Sequence, residues 1–279
     1  MQINHNVRAM VTQHALYQNN GAMSKSLEKL STGLKINRAQ DDAAGLAMSE
    51  QMRSQIRGLG KAKQNAQDGI AALQIAEGGL AEITNMIQRQ RELAIQAATD
   101  TVTSTEREYL NQEFKNLTEE INRIAETTDY NTINMLKKFG SELGTLHIGP
   151  NSTDTTNLSG TSNAANAVNV SYSVVVTGNT TGVADRDKAE QAIDELSKTL
   201  KSVSGIRSNI GAYINRLEYT INNIASLEFN TQDAESRIRD TNFAQETTNF
   251  TRNQILVQSA TSMLAQANSL PQSVLGLLG

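Results

Sequence analysis

Residues 73–97, LQIAEGGLAEITNMIQRQRELAIQA, place Leu73, Ala76, Leu80, Ile83, Ile87, Gln90, Ala94 and Ala97 at alternating steps of three and four. That spacing keeps one line of side chains on one side of an α-helix and is the period of a seam packed at a shallow angle against other helices. The helical character extends from about residue 45 to about 99 with hardly an interruption. At ~1.5 Å per residue such a helix is roughly 80 Å long, longer than a globule of this mass.

Working toward the N-terminus, residues 3 to about 34 read as one helix closing at Gly33, with Met23, Leu27, Leu30 and Leu34 at steps of four, three and four. NRAQDDAAG, residues 37–45, breaks the pattern, and Asp41 or Asp42 is placed to cap the long helix. In the other direction, Thr105 followed by Glu108 reads as a capping box opening a helix with Leu110, Phe114, Leu117, Ile121 and Ile124. Asp129 to Thr132 ends that helix. From about 138 to 182 Gly, Ser, Thr and Asn take over, with two β-like runs, Thr145 to Ile148 and Val168 to Thr177.

Asp185 or Asp187 restarts a helix that returns through Ile193, Leu196, Leu200, Val203, Ile210, Leu217, Ile221, Ile224 and Leu227. A second polar break, Asn230 to Asp240, precedes a terminal helix in which Phe250, Val257 and Leu264 repeat every seven residues, with Ala260 and Ala267 between them. Pro271 is expected to disturb its end. The expected fold is mainly α: an elongated antiparallel helical bundle or coiled coil with paired terminal helices and a small β-containing tip. Its parts are residues 1–44 (inner helix and connector), 45–136 (outer bundle), 137–184 (variable tip), 185–230 (return helix) and 231–279 (connector and inner helix).

The apolar seams of the two terminal helices have nothing local to pack against, so each needs a partner helix from its own chain or a neighbour's. Met23, Leu27, Leu30, Leu34, Phe250, Val257 and Leu264 are the assembly residues this implies. In the two connectors Arg38, Asp41, Asp42, Arg237, Arg239 and Asp240 carry charges able to pair across chains.

Composition narrows the function further. Net charge is −4 and no basic stripe exists, which argues against nucleic-acid binding. No run of eighteen apolar residues suggests a membrane span. MQINHNVRAMVTQHALY lacks the basic start, apolar stretch and cleavage site of a secretory signal, so cleaved export by the general route is not expected. Cysteine is absent, which removes disulfides, thiolate catalysis and sulfur-ligated metals. His5, His14 and His147 are scattered without ligand spacing, and Asp41 with Asp42 has no nucleophile beside it. Neither an enzyme, nor a metal site, nor a cofactor is expected. Gly78 and Gly79, each costing about 1 kcal/mol against alanine inside a helix, point to close packing or to a hinge. Asn-x-Ser/Thr triplets at Asn151, Asn157, Asn169 and Asn179 read mainly as composition, while Ser152 to Ser162 offers a site for O-linked glycan.

LSTGLKINRAQDDAAGLAMSEQMRSQIRGL at 30–59, NRLEYTINN at 215–223, AESRIRDTNFAQE at 234–246 and MLAQANSLPQSVLGLL at 263–278 resemble the terminal signatures of bacterial flagellin. The resemblance covers roughly residues 1–135 and 186–279, in the right order. Tyr130-Asn131-Thr132 stands where an aromatic-Asn-Gly turn is more common in that family, Asn242 where it has an acid, and Gly279 where Arg is frequent. The short centre implies a form without large outer variable domains. The resemblance implies a secreted, extracellular subunit of the hollow flagellar filament, a homopolymer served by an export chaperone and a filament cap. It also implies contact of Arg89, Leu93 and Glu113 with the vertebrate flagellin-sensing toll-like receptor, positions that otherwise read as solvated subunit contacts. The hook–filament junction protein and a signalling coiled-coil hairpin are the alternatives; β-like runs at the tip and two heptad breaks speak against the hairpin.

Overall fold

The computed structural model describes residues 6–138, 145–151, 154–157 and 182–278, without the side chains of 270–278. The elements run α1 (Val7–Thr32), α2 (Ala43–Ala97), α3 (Ser104–Thr127), β1 (Asp129–Tyr130), β2 (Ile133–Asn134), α4 (Met135–Lys138), β3 (Thr145–His147), β4 (Thr155–Asn157), α5 (Arg186–Arg239) and α6 (Phe243–Leu278). The chain is mainly α, with two small antiparallel hairpins, β1–β2 and β3–β4. It divides into two compact units, Met1–Ile56 with Phe229–Gly279, and Arg57–Glu228.

The second unit holds the main core. Every residue of the 73–97 seam is buried, and the core continues through Phe114, Ile121 and Ala125 of α3 and Leu196, Val203, Ile206, Ile210 and Leu217 of α5. A three-four spacing on α2 thus becomes one face of a packed bundle. Gln90, the polar member of that seam, is fully buried, and its amide donates to Thr118 Oγ1 at 2.8 Å and to the Phe114 carbonyl at 3.3 Å. At Gly79 a Cβ would meet Thr128 Oγ1 at 3.0 Å and Leu136 Cδ1 at 3.3 Å, so close approach accounts for this glycine. Gly78 has open space instead.

Several boundaries differ from the expectation. The capping box is made by Thr103 and Glu106, not Thr105 and Glu108: the Thr103 amide donates to Glu106 Oε2 at 2.9 Å, and the Glu106 amide to Thr103 Oγ1 at 3.4 Å. Arg107 selects this frame, because from there it reaches back to the carbonyls of Ala97 at 2.8 Å and Thr99 at 3.0 Å at the end of α2. The break from Asn230 to Asp240 shrinks to Asp240–Asn242. Although its composition is polar, Thr231, Ala234 and Ile238 keep a partly buried helical line, and α5 continues to Arg239. Pro271 does not interrupt α6, which runs on to Leu278; it removes one backbone donor from a helix of 36 residues. Thr145–His147 is a strand as expected, whereas Val168–Thr177 lies outside the described residues.

In the first unit α1 and α6 run antiparallel. Asn6 Nδ2 donates to the Ala267 carbonyl at 2.8 Å, and at the other end the Thr241 amide donates to Gly33 O at 2.9 Å and the Lys35 amide to Arg239 O at 2.6 Å. Leu34 and Asp240 thereby form an antiparallel bridge. Gly33 caps α1 at φ 72, a left-handed conformation that frees its amide to bond Lys29 O at 2.9 Å.

The connector before α2 is organised by its two aspartates. Asp42 Oδ1 accepts the Gly45 amide at 2.9 Å and caps α2, while Asp41 Oδ2 accepts the amides of Arg38 at 3.0 Å and Asn37 at 3.2 Å. The Arg38 amide first, and the Asn37 amide after it, hold the Asp41 carboxyl below the usual carboxylate range.

Two predictions follow from local geometry. The β1–β2 turn puts Asn131 at φ 48 and Thr132 at φ 68, and a β-branched residue is strained there, so Thr132→Gly should stabilise the protein by about 1 kcal/mol in denaturant melts. No gain would show that the turn is relaxed. Because the pKa of Asp41 is lowered on folding, its contribution is complete above the ordinary carboxylate range and lost as pH falls through the lowered value. The Tm difference between wild type and Asp41→Asn should therefore shrink as pH falls through and below the ordinary carboxylate range; a difference independent of pH would contradict it.

Candidate assembly surface

Along α1 the partly or fully buried positions include Ala9, Thr12, Leu16, Asn19, Met23, Ser26 and Leu30; along α6 they include Phe250, Asn253, Val257, Ala260, Leu264 and Ala267. Both sets repeat at threes and fours, and α1 packs on α6, so these are the facing sides of the pair. Met23, Leu30, Phe250, Val257 and Leu264 thus sit on a seam within the chain. Leu34 is half-buried in the connector bridge. Leu27 lies off the seam at 55 % exposure, because the seam passes through Ser26.

A second set of apolar residues on the same helices stays in solvent. Val7, Met10, Val11, Tyr17 and Leu27 are exposed on α1, and Phe243, Ile255, Leu256 and Met263 on α6. Ile255 and Leu256 also line an open groove with Thr247, Thr248, Thr251 and Arg252. The heptad positions drew attention to the seam; this second stripe had a signal too, in its own spacings of Met10 to Tyr17 and Leu256 to Met263.

The connector arginines pair within their own chain. Arg38 Nε lies 3.0 Å from Glu28, and Arg237 Nη2 lies 2.9 Å from Asp233. Buried Arg239 donates from Nη1 to Glu50 Oε1 at 2.5 Å; Arg53 lies 3.9 Å from Glu50 and 3.1 Å from Glu235. This alternating row ties the start of α2 to the end of α5. Asp240 accepts the Ser236 hydroxyl at 2.7 Å. The Glu50 and Glu235 partners were not anticipated, since pairs so far apart in sequence leave no local pattern.

On the second unit, Arg89 forks onto Glu113 Oε1 with Nε at 2.9 Å and Nη2 at 2.8 Å, and Nη1 reaches Glu92 at 3.1 Å. The Glu113 hydrogen bond, ahead of that from Glu92, pushes the Arg89 pKa up. Arg89 and Glu113 are about half exposed. Leu93 is not a solvated position: at 1 % exposure it belongs to the core. Among the described residues no group of three or more His, Cys, Asp or Glu is placed to hold a metal ion. His147 Nδ1 is engaged 3.0 Å from the Asp154 carbonyl. Asn151 holds Asp154 Oδ2 at 3.0 Å in a turn, and most of the Ser152–Ser162 segment lies outside the described residues. No helix among them is long and apolar enough to cross a membrane.

Comparison with known proteins agrees with a structural subunit. Residues 3–141 match the family model of the bacterial flagellin N-terminal helical region, and residues 191–278 that of the C-terminal helical region. The chain is 46 % identical over 288 residues to the flagellar filament 33 kDa core protein of Treponema phagedenis, covering all of both chains. It is 45 % identical over 278 residues to a flagellin of Halalkalibacterium halodurans, again over both full lengths. The crystal structure of Bacillus cereus flagellin is 28 % identical, with 58 % of this chain and 88 % of that one covered at a TM-score of 0.48. With two terminal helices that leave apolar surface uncovered, and matches at both ends in one order, this chain belongs to the bacterial flagellins, as a short, self-assembling filament subunit for motility without a large variable domain.

Proposed function

We propose that the α1–α6 seam makes each subunit's terminal hairpin, and that the outer stripes on those helices are the contacts between subunits. The observation that carries this is the exposure of Val11 at 65 %, Met10 at 64 %, Ile255 at 60 % and Met263 at 60 % on helices that already have one buried side. Apolar area of this kind gains about 25 cal/mol per Å² on burial, and sister copies are the partner a self-assembling chain has at hand. The domain reading accompanies it: inner helices within residues 1–44 and 231–279, an outer bundle in 45–136 and 185–230, and a tip in 137–184.

The finer partners belong to the same reading. The chain is exported unfolded through the flagellar type III channel, escorted by a chaperone, and folds under the filament cap into an extracellular hollow tube. Absence of cysteine and only two prolines support this, since neither disulfides nor many slow prolyl bonds delay refolding. In the free subunit, the toll-like receptor reads the half-exposed Arg89–Glu113 fork, and Leu93 acts from beneath by holding α2 against α3.

Two measurements test these assignments. Ile255→Asp should leave the subunit's melting within about 0.5 kcal/mol of wild type, yet raise the critical concentration for seeded growth at least about tenfold, as expected for losing one buried Ile contact. Leu264→Asp should block growth and also loosen the α1–α6 pair. Normal tubes from Ile255→Asp would remove the outer stripe from the assembly contacts. For the receptor, Arg89→Ala should lower cell-based signalling with an unchanged melting point, whereas Leu93→Ala should cost about 2–5 kcal/mol of stability. Full signalling by Arg89→Ala would refute the receptor assignment.

A further inference from the structure

The chain has no cysteine and no tryptophan, so its oxidisable sulfur is all in methionine. Methionine exposure is uneven. Met135 in the second unit is 2 % exposed, whereas Met10, Met48 and Met263 of the first unit are 64 %, 50 % and 60 % exposed. Met10 stands between Val7 and Val11 on the outer stripe of α1, and Met263 lies one heptad beyond Leu256 on that of α6. Both are thioethers that water reaches in the subunit and that a covering copy would exclude.

We propose that Met10 and Met263 are modification sites at which a peroxide controls whether the subunit can assemble; this rests on the outer-stripe reading above. In the step, the sulfur lone pair attacks one peroxide oxygen, an S–O bond forms and the O–O bond breaks. The sulfur loses two electrons, the peroxide is reduced, and the remaining oxygen leaves as water with both protons. The product sulfoxide is polar and chiral where the thioether was apolar and pliable. Burying its oxygen without a donor opposes assembly. Once copies cover the stripes the same sulfurs are out of reach, so the filament resists what the free subunit does not. Sulfoxide reduction reverses the change.

The test treats purified subunit and preformed filaments with hydrogen peroxide, maps sulfoxides by peptide mass spectrometry, and measures seeded growth. Treated subunit should carry sulfoxide at both sites and need at least about tenfold more protein to grow, matching one unsatisfied buried polar group per site; methionine sulfoxide reductase should restore growth. Filaments should remain unmodified at these two positions. Met10→Leu/Met263→Leu, a volume-conserving pair that leaves Met48 oxidisable, should grow equally well before and after peroxide. Unchanged growth of oxidised wild type overturns the proposal, as does equal inhibition of the double variant or equal oxidation in filaments. If Ile255→Asp grows normally while oxidised wild type is still inhibited, the stripe reading fails and the oxidation acts elsewhere; if Ile255→Asp is blocked and oxidation has no effect, only the proposal fails.

Discussion

A helix pair has one contact line, and α1 and α6 carry more apolar residues than one line can cover. Among the described residues of α1, Ser26 alone is fully buried, while Met10, Val11 and Tyr17 remain in water beside a seam already used. Hydrophobic burial acts on area, whichever molecule supplies the covering surface. On the reading proposed above, other copies finish the first unit, and its exposed side chains belong to an assembly that is larger than the chain.

The second unit differs in having a large core, although Ile75, Ile95, Tyr109, Tyr219 and Leu227 stay exposed on it as well. Its core runs continuously across α2, α3 and α5, and some of its buried polar groups are tied down internally. Thr84 bonds its own helix at Leu80 O, 2.7 Å away, and Asn111 Oδ1 accepts the Val183 amide at 3.0 Å, anchoring the approach to α5 on α3. Gln90 Oε1, Asn122 Oδ1 and Arg207 Nε are buried there without a hydrogen-bond partner, a cost the apolar core offsets.

Long periodic segments were legible because every residue reports the same phase. The seam from Leu73 to Ala97 is buried throughout, and so are Phe114, Ile121, Leu196, Val203 and Ile210. Element ends were harder to read. Thr103 and Thr105 both begin a Thr-x-x-Glu frame, and only Arg107 reaching the end of α2 separates them. Polar composition from Asn230 onward concealed a helix held by Arg239 and Glu235, whose partners lie on α2. On the terminal helices the heptads revealed a contact line without saying whose it was. Leu93 is a related case: a motif names a position, whereas its 1 % exposure depends on what the rest of the fold packs over it.

The bond from Asn6 to Ala267 spans 261 residues of sequence. The leading helix therefore waits for its mate until nearly the whole polypeptide is present. Closure over so long a stretch adds little entropy beyond a ring of half the size, because the cost grows only logarithmically. What the arrangement imposes is order in time: the middle of the chain can settle first, and its two ends meet last.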